Sequence, residues 1–183
     1  MTVVELVLAV HDVLDHAGSA HAFGGALALA YYAEPRGTLD VDVNVFAPFT
    51  EAAEVVKEFE SLGLAAARPP EQWLPVAGVR LSRTGEPVAL DLFFSLDEHY
   101  DEISRRSQLF PFGPSRRVLP FLSAEDLAVF KLSFGRDKDW VDLRQLARRQ
   151  PPLDIAYIER QLLAIRGPTM NPRLARLRSL IRG

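Results

Sequence analysis

The sequence lacks cysteine altogether, and this absence limits the chemistry that the protein can perform. Without a cysteine among its 183 residues, the chain forms no disulfide bond and has neither a thiolate nucleophile nor a sulfur ligand for zinc. Long apolar runs are missing too, since none approaches the ~20 residues that a membrane-spanning helix requires. The N-terminus has no positive segment ahead of a hydrophobic one, so we expect no signal peptide and a cytoplasmic location.

A surplus of positive charge is also absent. Lysine and arginine total 21 against 24 acidic residues, which gives a formal net charge of −3. This balance argues against a generally basic surface for nucleic acid, although arginines are concentrated after Arg105 and leave polynucleotide binding open. Hydrophobic residues make up 48% of the chain and charged residues 25%, which is ordinary for a globular protein. The length fits one domain, or one domain with a small appended lobe.

The stretch from residue 22 to residue 46 has the densest pattern of functional residue types. It predicts a strand end, two glycines that open a short helix, a turn, and a second strand that contains Asp40 and Asp42. Because side chains alternate between the two faces of a strand, these two aspartates share one face. Two neighbouring carboxylates are unfavourable unless a cation lies between them, so the pattern indicates a site for a hard metal, by default magnesium.

Gly24 and Gly25 fit the same chemistry. Glycine allows a close backbone turn, and amide hydrogens at a helix N-terminus can face an anion such as a triphosphate. Either motif alone is weak, because Asp-x-Asp is common on solvated strands and Gly-Gly often marks only a turn. The two motifs joined by one helix favour a nucleotide site.

A lone carboxylate lies in a predicted β-hairpin whose strands flank Thr84-Gly85-Glu86. Asp91 is the only charged residue between Val88 and Phe94. An ionised carboxylate within a buried strand is costly unless it is paired or binds a metal. The alternative is a solvated aspartate at the edge of a strand.

These motifs resemble the nucleotidyltransferase superfamily, in which Gly-Gly or Gly-Ser opens a helix and Asp-x-Asp lies on the next strand. The likeness is closer to a bacterial subgroup, related to AbiEii-type toxins and minimal nucleotidyltransferases, that continues with Arg-x-Thr-x-Asp-x-Asp. The matching residues are Gly24, Gly25, Ala28, Tyr32, Arg36, Thr38, Asp40 and Asp42. Many members have Ser or Thr where this chain has Gly25 or Ala26, so backbone amides alone would hold a phosphate oxygen here.

A second segment resembles the same subgroup, which has a Glu-Asp-Leu helix, a lysine, and a Lys-Asp-x-x-Asp-Leu helix facing the active site. The chain matches with 125–127, Lys131 and 138–143. Lys131 is thereby implied in charge neutralisation at the nucleotide. For Lys138 and Asp142 the alternative is a solvated pair on one helix face.

The resemblance implies an α/β (α+β) fold, a small mixed β-sheet flanked by helices, with a core over residues 1–120 and a C-terminal helical lobe over 121–183. It also implies magnesium-dependent transfer of a nucleoside monophosphate from an NTP to a hydroxyl of a tRNA, a protein or a small molecule, within a toxin–antitoxin system that would supply an antitoxin partner. The implied ligands of two magnesium ions are Asp40, Asp42 and Asp91, and the implied nucleotide-binding residues are Gly24, Gly25, Arg36, Thr38 and Lys131. The alternatives are a non-catalytic nucleotide-binding protein of the same fold and an unrelated hydrolase.

Overall fold

The structure, a computed structural model, describes residues 1–74, 78–96 and 98–182, without the side chain of Arg182. In chain order its elements are α1 (Val3–His16), β1 (His21–Phe23), α2 (Gly25–Leu29), β2 (Asp40–Pro48), α3 (Ala52–Glu58), β3 (Ala65–Ala66), β4 (Val79–Ser82), β5 (Ala89–Ser95), α4 (His99–Arg105), β6 (Gln108–Phe112), β7 (Arg117–Phe121), α5 (Ala124–Phe134), α6 (Asp137–Leu146), α7 (Ile155–Arg166) and α8 (Asn171–Arg182). Short 3₁₀ turns flank α3 on both sides.

The described strands form one mixed sheet of seven strands in the order β3-β4-β5-β2-β1-β7-β6. The pairs β2–β5 and β1–β7 are parallel, and the remaining neighbours are antiparallel. The predicted mixed sheet with flanking helices is thus confirmed. The long strand β2 lies at the centre of the sheet, and the hairpin β4–β5 adds to one side of it.

Capping residues in the sequence account for the starts of α1 and α5 and for the end of α5. Thr2 caps α1 in a capping box with Glu5, and Ser123 caps α5 by accepting a hydrogen bond from the amide of Asp126. Each cap satisfies an amide that has no partner within its helix. Gly135 ends α5 in the left-handed region with φ +66°, where glycine avoids the strain of a side chain.

The hairpin of β6 and β7 is difficult to predict from the sequence because each of its strands contains a proline. Pro111 lies in β6, the edge strand of the sheet, where a missing amide hydrogen leaves no ladder bond unmade. Pro120 lies in β7, whose pairing with β1 is limited to the single register pair Phe23 and Phe121. Few ladder bonds therefore depend on the amides that these two prolines lack.

One hydrophobic core includes side chains of the sheet and of the helices α5 to α8. Phe23, Phe94 and Phe121 are its largest fully buried sheet residues, together with Phe59 of a 3₁₀ turn. The division at residue 120 stays a prediction, although all strands of the described residues precede residue 122. Within the same ranges, the helices are too short or too polar to cross a bilayer.

Candidate active site

Three charged side chains form a row across the neighbouring strands β4, β5 and β2. Arg80 pairs with Asp91 in the antiparallel ladder, and Asp91 pairs with Asp42 in the parallel ladder. Residues that are paired across neighbouring strands project to the same face, so all three side chains lie on one face of the sheet. Asp40 shares this face, two residues before Asp42, whereas the intervening Val41 is fully buried on the other. The strand of Asp91 thus lies directly beside the Asp-x-Asp strand.

Arg80 bridges two of these carboxylates. Its Nη2 donates to Asp40 Oδ1 at 2.7 Å, and its Nη1 donates to Asp91 Oδ2 at 2.8 Å. Sequence reasoning missed this residue. The predicted turn Thr84-Gly85-Glu86 is centred on Gly85 and would pair residue 80 with residue 90, whereas the observed register pairs Arg80 with Asp91.

Gly25 gives Asp42 the space that its carboxylate occupies. A Cβ atom at this position would lie 1.8 Å from Asp42 Oδ2, and the residue has φ +55°, so only glycine fits without displacement. Gly24 behaves differently from the expectation, because its amide donates to the backbone carbonyl of Asp42 at 2.8 Å. That amide is engaged in the sheet and does not face an anion. Gly25 begins α2, where first-turn amides have no acceptor within the helix.

The aspartates are close enough together to change one another's protonation. Burial raises the pKa of Asp42 to about 6, with further contributions from the charges of Asp91 and Asp40. Burial also raises the pKa of Asp91, and the guanidinium of Arg80 opposes that rise. A cation placed among these oxygens would favour their ionised forms.

The carboxylates fit a hard divalent cation in their chemistry. They are oxygen donors on two rigid neighbouring strands, and one of them lies where a missing Cβ leaves room for it. Within the ranges 1–74, 78–96 and 98–182, no three His, Asp or Glu side chains are gathered closely enough to hold a metal ion as they stand. Two of the three candidate ligands are instead bonded to Arg80.

Thr38 and Arg36 make contacts within the protein. The Thr38 hydroxyl donates to the carbonyl of Asp40 at 2.9 Å and accepts from its amide at 3.1 Å, which fixes the turn into β2. Arg36 donates through Nε to Asp142 Oδ1 at 3.1 Å and through Nη2 to Oδ2 at 3.0 Å. Their predicted nucleotide contacts stay a prediction, and both residues line the cavity described below.

Lys131 reaches the same buried carboxylate from α5. Its Nζ donates to Asp142 Oδ2 at 2.6 Å, and the side chains of Lys131 and Asp142 are only 5% and 1% exposed. Burial alone would raise the pKa of Asp142, but hydrogen bonds from Arg36 and Lys131 outweigh it and lower the pKa. The alternative of a solvated pair between Lys138 and Asp142 is therefore wrong. Asp142 instead joins α6 to α5 and to the segment before β2.

A cavity of about 720 Å³ lies between the acidic row and α5 with α6. Seven of the predicted site residues line it, and Gly24 does not. The predicted residues at the cavity are Gly25, Arg36, Thr38, Asp40, Asp42, Asp91 and Lys131. Lys138 of the second motif also lines it, and lining residues that the sequence did not single out include Asn44, Arg80, Phe93, Phe130, Phe134 and Arg136.

The helical wall of the cavity is basic where the sheet is acidic. Arg136 donates to Asp139 through Nε at 2.8 Å and lies over the ring of Phe134 at 4.9 Å. Lys138 follows two residues later on the same wall. Arg136 resembles an ordinary helix-start residue in the sequence, so only the packing of α5 against α6 places it at the cavity.

Asn44 lies on the acidic face of β2, two residues beyond Asp42. It is 3% exposed, and its Oδ1 is a buried atom without a hydrogen-bond partner in the described part of the chain. Buried polar atoms normally have partners, so an unpaired one at a cavity is a candidate contact for a ligand. The alternation Asp40-Val41-Asp42-Val43-Asn44 was the signal for it.

No family model matches the sequence, and no curated protein does. A lincosamide antibiotic adenylyltransferase, LnuA with lincomycin bound, is similar in structure with a TM-score of 0.57 and 15% identity, over 79% of this chain and 96% of that one. ANT(2")-Ia in complex with adenylyl-2"-tobramycin matches over 98% of both chains, with a TM-score of 0.55 and 18% identity.

A nucleotidyltransferase-like protein from Paracoccidioides brasiliensis is also similar, with a TM-score of 0.54 and 16% identity over 95% of this chain and 92% of that one. The match extends over nearly the whole chain, including the helices after the sheet. This likeness shows that the chain has a nucleotidyltransferase fold.

Proposed function

We propose that the protein is a nucleotidyltransferase that moves a nucleoside monophosphate from an NTP to a hydroxyl group of an acceptor. The pairing of Asp42 with Asp91 on one face of the sheet, opposite a basic helical wall, is the observation on which this proposal rests. The structures similar in fold include one named as a lincosamide antibiotic adenylyltransferase, which supports the same reaction class here. A fold by itself hosts many activities, so the argument depends on the residues of the cavity.

Asp40, Asp42 and Asp91 would hold magnesium. When bound, it would supply Lewis-acid polarisation of the phosphate oxygens and of the acceptor hydroxyl. The three carboxylates would hold the positive charge of the metal at the floor of the cavity, because all three extend from the central strands β2 and β5. A carboxylate of this floor also takes up the proton that the acceptor hydroxyl loses.

The basic wall binds the triphosphate. Arg136 and Lys138 present positive charge to the cavity, and Lys131 adds a third cation beside them. During transfer, the acceptor oxygen bonds to the α-phosphorus while the bond to the bridging oxygen of the β-phosphate breaks, and pyrophosphate leaves. Fixed cations near that pyrophosphate stabilise the charge that develops on it.

The rest of the cavity suits the nucleoside. Phe93, Phe130 and Phe134 give it apolar surface, and Phe93 and Phe134 contact each other with ring centroids 5.6 Å apart. The volume of about 720 Å³ is within the usual range for small-molecule pockets. We infer that the base lies against these rings and the phosphates against the cations.

The acceptor that we favour is a small molecule. The similar structures were solved with lincomycin and with adenylyl-2"-tobramycin, which are small molecules. A tRNA or protein acceptor, as in the toxin-related subgroup, and an antitoxin partner follow only from the resemblance of the motifs. They are the second candidate to be tested.

Incubation with each NTP labelled at the α-phosphate tests the proposal directly. Parallel reactions would contain magnesium and one acceptor source: total RNA, a protein lysate, or a panel of hydroxyl-bearing small molecules that includes lincomycin and tobramycin. A labelled acceptor with an equal amount of pyrophosphate is the expected result. Free labelled monophosphate would indicate a hydrolase, and nucleotide binding without either product would indicate a non-catalytic protein.

A further inference from the structure

We propose that Arg80 is an internal counter-ion that occupies the cation site of the metal-free protein and that a divalent cation must displace. The inference rests on the proposed function, because it treats Asp40 and Asp91 as cation ligands. It assigns Arg80 the role of a positioning residue that sets the affinity of the carboxylates for the cation.

The geometry makes Arg80 and a cation mutually exclusive. Two different nitrogens of one guanidinium donate to Asp40 Oδ1 at 2.7 Å and to Asp91 Oδ2 at 2.8 Å. The planar fork therefore spans the gap between carboxylates of two neighbouring strands. A cation bound between these same oxygens would meet the hydrogens of the guanidinium, so one occupant must leave before the other binds.

Arg80 is able to leave because much of it is already in water. Its side chain is 52% exposed, whereas Asp40 and Asp91 are 35% and 21% exposed. Ion pairs with this much exposure are weak, and a freed arginine at this site would be hydrated. Lys131 differs from Arg80 in this respect. Its side chain is only 5% exposed, so its charge would stay buried and unpaired if it left Asp142.

The proposal predicts two effects of opposite sign when Arg80 is removed. Without a counter-ion, the row of aspartates repels itself, so the metal-free protein becomes less stable. The same row no longer has a competitor, so magnesium binds more tightly. A merely structural ion pair would produce only the first effect.

Calorimetric titration with Mg²⁺ and with Mn²⁺, together with thermal unfolding at several concentrations of each ion, tests this. Arg80→Gln removes the charge, and Arg80→Lys keeps the charge but loses the fork. Arg83→Gln is the control, because Arg83 lies at the end of the same hairpin but bonds to Glu86 and to the carbonyl of Leu62, away from the cavity. We expect Arg80→Gln to bind magnesium about 3- to 30-fold more tightly than wild type, from the small worth of two exposed ion pairs. The magnesium affinity of Arg80→Lys should lie between those of wild type and Arg80→Gln, and the affinity of Arg83→Gln should equal that of wild type.

The outcomes separate this inference from the proposed function. If wild type binds magnesium and transfers nucleotide, but Arg80→Gln binds magnesium equally or more weakly, the role of Arg80 is wrong and the proposed function stands. If neither wild type nor any variant binds Mg²⁺ or Mn²⁺, both are wrong. Should Arg80→Gln fail to fold, tighter binding by Arg80→Lys supports the proposal, and unchanged binding overturns it.

Discussion

Asp42 and Asp91 are direct partners on the parallel strands β2 and β5, so two carboxylates lie side by side on one face of the sheet. Each is partly or largely removed from water, and burial raises the pKa of both. Arg80 forms ion pairs with Asp91 and Asp40, whereas the carboxylate of Asp42 lies beside Gly25, which carries no charge. The site therefore holds more negative charge than its own cations balance on that face, and the following expectations depend on this imbalance.

The metal-free protein should lose stability as pH rises through the pKa of Asp42. Its folded pKa of about 6 exceeds its ordinary value of 3.8, so between these values the folded state binds more protons than the unfolded state. The free energy of unfolding therefore falls as pH rises from about 4 to about 7, by on the order of 3 kcal/mol from this group. Asp42→Asn removes this contribution, and urea unfolding at a series of pH values without divalent ions measures it.

Magnesium provides the matched control for that experiment. At pH 7.5 it should raise the midpoint of thermal unfolding of wild type and raise that of Asp42→Asn much less, since the variant lacks a ligand. An equal response in both proteins, or parallel pH profiles without the ion, would contradict the assignment of Asp42.

Substitution of Gly25 by alanine should displace Asp42. The new Cβ would lie 1.8 Å from Asp42 Oδ2, and the backbone has φ +55°. We expect a loss of stability of about 1–3 kcal/mol and a weaker response to magnesium. Gly18→Ala is the control, because Gly18 has φ +66° but no atom within 4 Å of its Cβ position. If both variants respond to magnesium as wild type does, the space at Gly25 has no part in placing the carboxylate.

Replacement of Asp91 by asparagine should lower turnover far more than nucleotide binding. The asparagine side chain keeps the shape of aspartate but lacks the negative charge that would hold magnesium at the cavity floor during transfer. We expect turnover to fall roughly 100-fold or more, with a much smaller change in nucleotide affinity. Steady-state kinetics and equilibrium binding of the NTP measure the two effects. The exposed Asp101 of α4 supplies the control Asp101→Asn; near-normal turnover of the Asp91 variant would make this carboxylate structural.

Removal of the Asp142 carboxylate should be among the most destabilising single changes at the site. It leaves Lys131, with a side chain only 5% exposed, without its carboxylate partner at 2.6 Å. Breaking a buried ion pair in this way costs about 3–5 kcal/mol, so Asp142→Ala should shift the denaturant midpoint strongly. The double variant Lys131→Met, Asp142→Leu should recover much of the loss, because the fully buried charges of this pair are gone and Arg36, whose side chain is 34% exposed, is left to solvent. Lys138→Ala should change stability by less than about 0.5 kcal/mol, and an Asp142→Ala effect of that small size would show that the pair is not buried in solution.

The sequence alone determined what depends on neighbouring residues. Asp40 and Asp42 share a face because the side chains of a strand alternate, and α1 spans Val3–His16 as its apolar period predicts. The hairpin around Gly85 follows from its turn residues. These features need no knowledge of distant parts of the chain.

Only the tertiary structure decided which distant segments meet. The order β3-β4-β5-β2-β1-β7-β6 puts β5 beside β2 and so makes partners of two aspartates that the sequence separates widely. Arg36 and Asp142 are 106 positions apart and become hydrogen-bonded because α6 packs against α5 over the sheet. The amide of Gly24 donates to the carbonyl of Asp42, a contact that depends on the position of β2. Such pairings depend on the burial of apolar surface by the whole chain, which a local pattern does not specify.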